Sequence, residues 1–410
     1  MKTSPLSPLA GKNKPVNWFF AFKFNSESYP GCTDEGKTPP VGSKGIFGGT
    51  VQEYKNGHSQ QYVFATDQNP TLVKGEGCIG ATLDDPLGAT FAQVYLTDDY
   101  NYMIWNDQFY NDPPQFPKYL GAPWGHSKGM LAWDDDGNGF VLQVSTPSWP
   151  ASGGKKNPRQ TDGNTLGCIK DDDVEVSQHF FCLKINKDDL VIILNALINA
   201  SVVTNPTIPQ IVKNGGPADV QTLVKKVGKE SKSTTFTKAT LSSGVQILSK
   251  PSAIAGPVWQ LVSSELGSIP LRVASWWEQP AIYSTNKDTQ ITCWPNGLNK
   301  PGAVEIATTG TWDGKIIGFL GGAHPSCNHA KVAVSTDTSL PYSIFGDMNQ
   351  QGTLVPISEK SGEPETCKIS QNARGGLFYV VNNQKLFESV SALLKGNSAP
   401  LQQATSNGKK

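Results

Sequence analysis

His126 and Lys128 stand two apart in "GHSKGMLAW", and His329 and Lys331 repeat the spacing in "CNHAKVAVS". In an extended strand, residues i and i+2 point to one face, so each pair sets an imidazole beside an ammonium. Phosphoryl chemistry uses that combination: the ammonium holds nonbridging oxygens while the imidazole attacks phosphorus or carries a proton. With two pairs, one histidine can attack a phosphodiester to give a phosphohistidine. The other protonates the leaving oxygen and then activates water, and no cofactor is called for. The attacker must be neutral and its partner protonated, so a bell-shaped pH dependence is expected, with pKa values that belong to the pair. Both species can coexist at about pH 5 to 6 if the site separates the two pKa values. A single His-x-Lys is a surface accident in most proteins. The two here lie about half of the 410-residue chain apart, in similar contexts, and suggest a duplicated unit.

Other chemistries fit less well. "DDDGNG" imitates the start of a calcium loop, with Asp134, Asp136 and Asn138 at its first ligand positions and Gly139 at the turn. Its twelfth position is Ser145 rather than Glu, and its flanks read as strands, so an acidic hairpin turn is expected. His324, Cys327 and His329 make a partial zinc set without a fourth ligand. His179, in "VSQHFFCLKI", reads as structural, and His58, in "KNGHSQQ", as an exposed turn residue, while His324 is near enough to tune the second motif.

The elements that must position these residues come in short bursts. Strands are expected at "NWFFAFKF" from 17, "ATFAQVYL" from 89, "NYMIW" from 101, "GMLAW" from 129, "GFVLQVS" from 139, "KVAVS" from 331 and "YSIFGDM" from 342. Helical patterns lie at "KDDLVIILNALINA" from 187, "PADVQTLVKKVGK" from 217 and "QKLFESVSALLKG" from 384. Linkers are expected from 148 and from 229. The class is therefore α/β, with α and β mixed. The 35 basic and 35 acidic residues give no permanent basic field, which weakens tight nucleic-acid binding at neutral pH but not in acid. Seven cysteines without a Cys-x-x-Cys favour disulfides, with Cys168–Cys182 preferred for its short loop and Cys327–Cys367 a second pairing. The Asn199 sequon falls inside a helical pattern and is discounted. No apolar run is long enough for a membrane span, and the first residues lack the apolar core of a signal peptide.

Together "VNWFFAFKF", "YMIWNDQ", "GHSKGMLAWDDDGNGFVLQVSTPSWP", "HAK", "FGDMNQQG" and "NARGGLF" resemble, in order, the deoxyribonuclease II family. The resemblance runs from about 16 to 396 and is weak between about 190 and 290. It implies a phospholipase D-like fold. Two similar halves, 1–185 and 186–410, each with a mixed sheet flanked by helices, meet at one active site. It implies metal-independent acid cleavage of double-stranded DNA to 3′-phosphate and 5′-hydroxyl ends, with a homodimer as a family-level expectation and a secreted or acidic compartment. Carried over, His126, Lys128, His329 and Lys331 are catalytic. The residues leave the nucleophile open, and analogy favours His126 with His329 as general acid. Asn106, Asp107, Ser145, Asp347, Asn349 and Arg374 orient the site or bind phosphate. Two departures stand out: Val332 follows Lys331 where animal members tend to have Trp, and the cysteine expected before "VNW" is missing. Another phospholipase D-type phosphodiesterase and a non-catalytic DNA clamp are the competing readings.

Overall fold

The computed structural model describes residues 5–31, 42–43, 45–48, 50, 58–160 and 174–403. The first half of the chain supplies β1 (Trp18–Lys23), β2 (Tyr62–Thr66), β3 (Val73–Lys74), α1 (Pro86–Tyr95), β4 (Asn101–Asn106), β5 (Lys128–Trp133), β6 (Gly139–Val144) and β7 (Gln178–Ile185). After α2 (Lys187–Asn199), the short β8 (Val212–Lys213) completes an eight-stranded sheet in the order β3-β2-β1-β7-β6-β5-β4-β8. Next come α3 (Ala218–Val224), β9 (Thr237–Thr240), β10 (Gln246–Lys250), α4 (Val258–Glu265), β11 (Leu271–Ala274) and β12 (Val304–Ile306). A separate hairpin, β13 (Thr309–Trp312) with β14 (Lys315–Gly318), precedes β15 (Val332–Ser335), β16 (Tyr342–Gly346), β17 (Gly376–Asn382) and α5 (Gln384–Leu393). The second large sheet runs β12-β11-β15-β16-β17-β10-β9.

The two sheets repeat one plan. The run β1-β7-β6-β5-β4 matches β10-β17-β16-β15-β11 neighbour for neighbour, and every pairing within these runs is antiparallel. Register then fixes which residues correspond. Phe20 lies opposite Phe181 as Ile247 lies opposite Tyr379, and Lys23 opposite Gln178 as Lys250 opposite Gly376. Lys23 and Lys250 are both fully buried and each donates to the carbonyl of the next residue, Phe24 or Pro251.

Strands β1, β4, β5 and β6 are buried at every position, which explains their near-continuous apolar runs. One side of that burial is the other sheet: Phe345 stacks on Phe20 and Phe181 at 4.3 and 4.7 Å between ring centroids, and Phe181 meets Tyr379 at 5.6 Å. The acidic turn between β5 and β6 is an exposed hairpin whose Asp134 side chain accepts from the backbone N–H of Asp136 and Asn138.

Five expectations need correction. His58 is not an exposed turn residue: it is buried, 7% exposed, and its carbonyl accepts from the backbone N–H of Gly31. "ATFAQVYL" is helical: Asp85 caps α1 by accepting from Gly88 N–H, Pro86 opens it, and Leu87, Phe91, Val94 and Tyr95 bury one face. Tertiary burial thus overrides the aromatic and β-branched composition. The chain over 148–160 is not a loose linker, because Trp149 is buried against Phe91 and Phe180, while the rest of that expected linker, 161–165, lies outside the described residues. Cys182 is a buried thiol in the middle of β7 and not a partner of Cys168, which lies outside the described residues. Cys367 pairs with Cys293, and not with Cys327. Asn199 ends α2 with its side chain buried and donating to Ser249, consistent with setting the sequon aside.

Candidate active site

Lys128 is the first residue of β5 and Lys331 immediately precedes β15, so both His-x-Lys motifs sit at corresponding strand ends. Each is hung on the opposite sheet. His126 donates its backbone N–H to Gly375 O, and His329 donates to Ser177 O, both at 2.8 Å. By register Gly375 and Ser177 are equivalent positions, so the two motifs approach each other about a local pseudo-twofold. Both histidines, both lysines, Ser145 and Asn349 line one cleft of ≈ 200 Å³, with Gln108, Tyr119, Trp276, Gln351, Ser370 and Gln371. Hollows of ≈ 480 and ≈ 850 Å³ elsewhere hold neither histidine.

His126 Nδ1 lies 2.7 Å from the backbone carbonyl of Asp347. A carbonyl only accepts, so Nδ1 carries the proton and Nε2 keeps its lone pair. Burial, then Lys128, drives the imidazole well below its ordinary pKa against the pull of Asp107, with Arg374 and Lys331 adding to the depression. Both the carbonyl bond at Nδ1 and the buried surroundings favour the neutral ring with a lone pair at Nε2.

Behind it, Asp107 accepts from Lys128 Nζ at 2.5 Å and from Arg374 Nη2 at 2.7 Å. Burial favours its neutral form, but Lys128, His126 and Arg374 outweigh that and hold the carboxyl below the usual range. Arg374 is 2% exposed and spends its donors on Asp107, Tyr119 Oη and the carbonyls of Trp124, Leu120 and Gly125. It stands behind the cleft rather than in it. Asn106 likewise binds backbone, donating to the carbonyls of Thr146 and Trp149 and accepting from Gln108 N–H.

Asp347 occupies the contrasting environment. Its carboxyl accepts from Ser127 Oγ at 2.5 Å and from Gln143 Nε2 at 2.9 Å, both from the other sheet, and among the described residues it bonds no cation directly. Burial pushes it up to about 7 against Ser127, Lys128, Gln143 and Lys331. Ser127 in turn accepts from the Trp105 indole at 2.9 Å, and Trp105 lies against Gly129, where a Cβ would meet its ring at 2.5 Å.

The second motif is held differently. Lys331 donates its backbone N–H to His179 Nδ1 at 3.2 Å and its ammonium to His329 O. Burial, and secondarily Lys331, brings His179 down to about 3, leaving a neutral acceptor. His179 therefore braces Lys331 as well as filling the core. Trp276 stands edge-on to His329 at 4.3 Å between ring centres. Ser145 donates to Gln178 Oε1 and accepts from His179 N–H, and Asn349 donates to Gln351.

His126, Lys128, Ser145, His329, Lys331 and Asn349 thus share the cleft, while Asn106, Asp107, Asp347 and Arg374 form the layer behind it. Sequence reasoning missed Ser127, Gln143, Trp276 and Tyr119. Ser127 sits inside the first motif and was within reach, but Trp276 and Tyr119 carry no local signal. His324, Cys327 and His329 do not gather as a three-ligand group.

The family model described as Deoxyribonuclease II matches residues 49–396. The chain is 24% identical to Cell-death-related nuclease 7 of Caenorhabditis elegans over 377 residues, 88% of this chain and 82% of that one. It is 28% identical to Plancitoxin-1 of Acanthaster planci over 168 residues, which spans 40% of each.

Proposed function

The chain belongs to the deoxyribonuclease II family, and on that premise we propose that it is an endonuclease that hydrolyses DNA phosphodiester bonds in acid, without a metal, through two histidines. The observation that carries this is the meeting of both His-x-Lys motifs in one cleft, with His126 Nδ1 tied to a carbonyl. His126 Nε2 attacks phosphorus, Lys128 and Lys331 neutralise the nonbridging oxygens, and the P–O5′ bond breaks as His329 gives its proton to the departing 5′-oxygen. Neutral His329 then takes a proton from water, whose oxygen displaces His126 from phosphorus. The 3′-phosphate leaves and both histidines return to their starting states. Arg374 and Asp107 position Lys128, and Asp347 orients His126.

The test is nicking of supercoiled plasmid at about pH 5 in EDTA. Wild type cuts, and His126→Ala and His329→Ala each lose at least about a hundredfold in rate, the range of lost acid–base or nucleophilic catalysis. Cutting that vanishes in EDTA and returns with zinc overturns the mechanism, as does a His126→Ala variant with full activity.

A further inference from the structure

Tyr119 is the one strongly exposed aromatic among the described residues, at 51%, yet it lines the cleft that holds both histidines. It is also held in place. Its hydroxyl accepts from Arg374 Nη1 at 2.8 Å, and the guanidinium carbon stands 5.3 Å from its ring centroid. The buried Arg374 bonds Asp107, and Asp107 bonds Lys128, so two side chains connect the ring to the phosphate-holding lysine. Gln371 lines the same cleft, 4% exposed, with its amide oxygen unmatched by any donor among the described residues.

An exposed ring fixed at the mouth of a phosphodiester cleft matches the π-face of a nucleobase, and an idle buried acceptor matches base N–H groups. We infer that Tyr119 is a stacking platform that, with Gln371, seats the nucleobase next to the scissile phosphate in register with Lys128. This rests on the nuclease reading above. A base must leave its helical stack to lie on Tyr119, so the site favours unpaired or locally opened DNA over smooth duplex.

The test uses a labelled single strand, intact or with one tetrahydrofuran abasic residue, and reads cutting at the phosphates beside that position. Stacking is worth ~1–3 kcal/mol per base, so wild type should cut there about 5- to 150-fold more slowly once the base is gone. In Tyr119→Leu the intact and abasic strands should be cut alike, whereas Tyr119→Phe keeps most of the difference. No abasic penalty in wild type overturns the platform. So does an undiminished penalty in Tyr119→Leu, which would leave Tyr119 as a prop for Arg374 alone. A strand carrying 2-aminopurine separates this from the parent reading. Its fluorescence should be quenched on binding His126→Ala and should recover when Tyr119→Leu is added. Quenching by a wild type that cuts nothing keeps the platform and overturns the nuclease. Equal quenching with and without Tyr119 overturns the platform.

Discussion

At the scale of single residues, two buried carboxylates on the same site have opposite fates. Asp107 stays charged because Lys128 and Arg374 both bond it, whereas among the described residues Asp347 accepts from the neutral donors Ser127 and Gln143 alone. When Asp347 ionises, the cleft loses positive potential, so under the proposed mechanism its proton would favour binding of a phosphodiester in acid. Lys128, Lys331, His126 and Tyr379 are titratable neighbours that face it. The amide of Asp347→Asn mimics the protonated form, and its nicking rate should hold to higher pH, with the alkaline half-point raised by about a unit or more. An unmoved alkaline limb would place acid dependence elsewhere. The stability sign is fixed too. A carboxyl at about 7 when folded and 3.8 when unfolded adds stability that is complete below about pH 4 and lost as pH rises through 7. His126 and His179, depressed in the fold, act in the opposite sense below about 6.5. Thermal unfolding at pH 5 and pH 8 should therefore show wild type losing stability relative to Asp347→Asn. Removing the other carboxylate, by Asp107→Ala, strands the buried Lys128 and Arg374 and should cost about 3–5 kcal/mol in urea unfolding.

At the scale of elements, the two cleft histidines depend on strand ends that belong to the opposite sheet. Gly375 gives His126 its acceptor, and a Cβ there would lie 2.1 Å from Ala200 O, beyond what any rotation relieves. Gly375→Ala should push the start of β17 away from α2 and pull the first motif with it. Loss of nicking together with a lower melting temperature is the expected result, and full activity would show that the His126 backbone bond is dispensable. The strands carrying the motifs were legible in the sequence because they are short, apolar and bounded by Gly, Asp and Pro. Helix α1 was not, because its cap and its buried face decide it against composition. The cystine was illegible for a plainer reason. Cys293 and Cys367 are 74 residues apart in sequence and 5.3 Å apart between Cα atoms, and only the folded chain sets that distance. Likewise the His-x-Lys pairs announce themselves, while Trp276 reaches His329 through tertiary packing alone.

At the scale of the molecule, the two sheets share one aromatic core, so the halves should not melt separately. Calorimetry should give a single transition, and Phe345→Ala, which removes the ring between Phe20 and Phe181, should lower stability by about 3–5 kcal/mol while leaving a single transition. Two resolved transitions would refute the shared core.

The repeated register also says why the site needs two different repeats in one chain. Trp105 corresponds to Ala274, so Asp107 corresponds to Trp276; Gln143 corresponds to Phe345, so Ser145 corresponds to Asp347. Where one copy sets a carboxylate against its lysine, the other sets an indole against its histidine. Where one brings a serine to the junction, the other brings an acid. Identical copies would give both imidazoles the same surroundings and the same proton affinity, so the proposed mechanism would have nothing to set attacker apart from proton donor. Because the two repeats differ at these positions, the proposed division of labour is built into the chain itself.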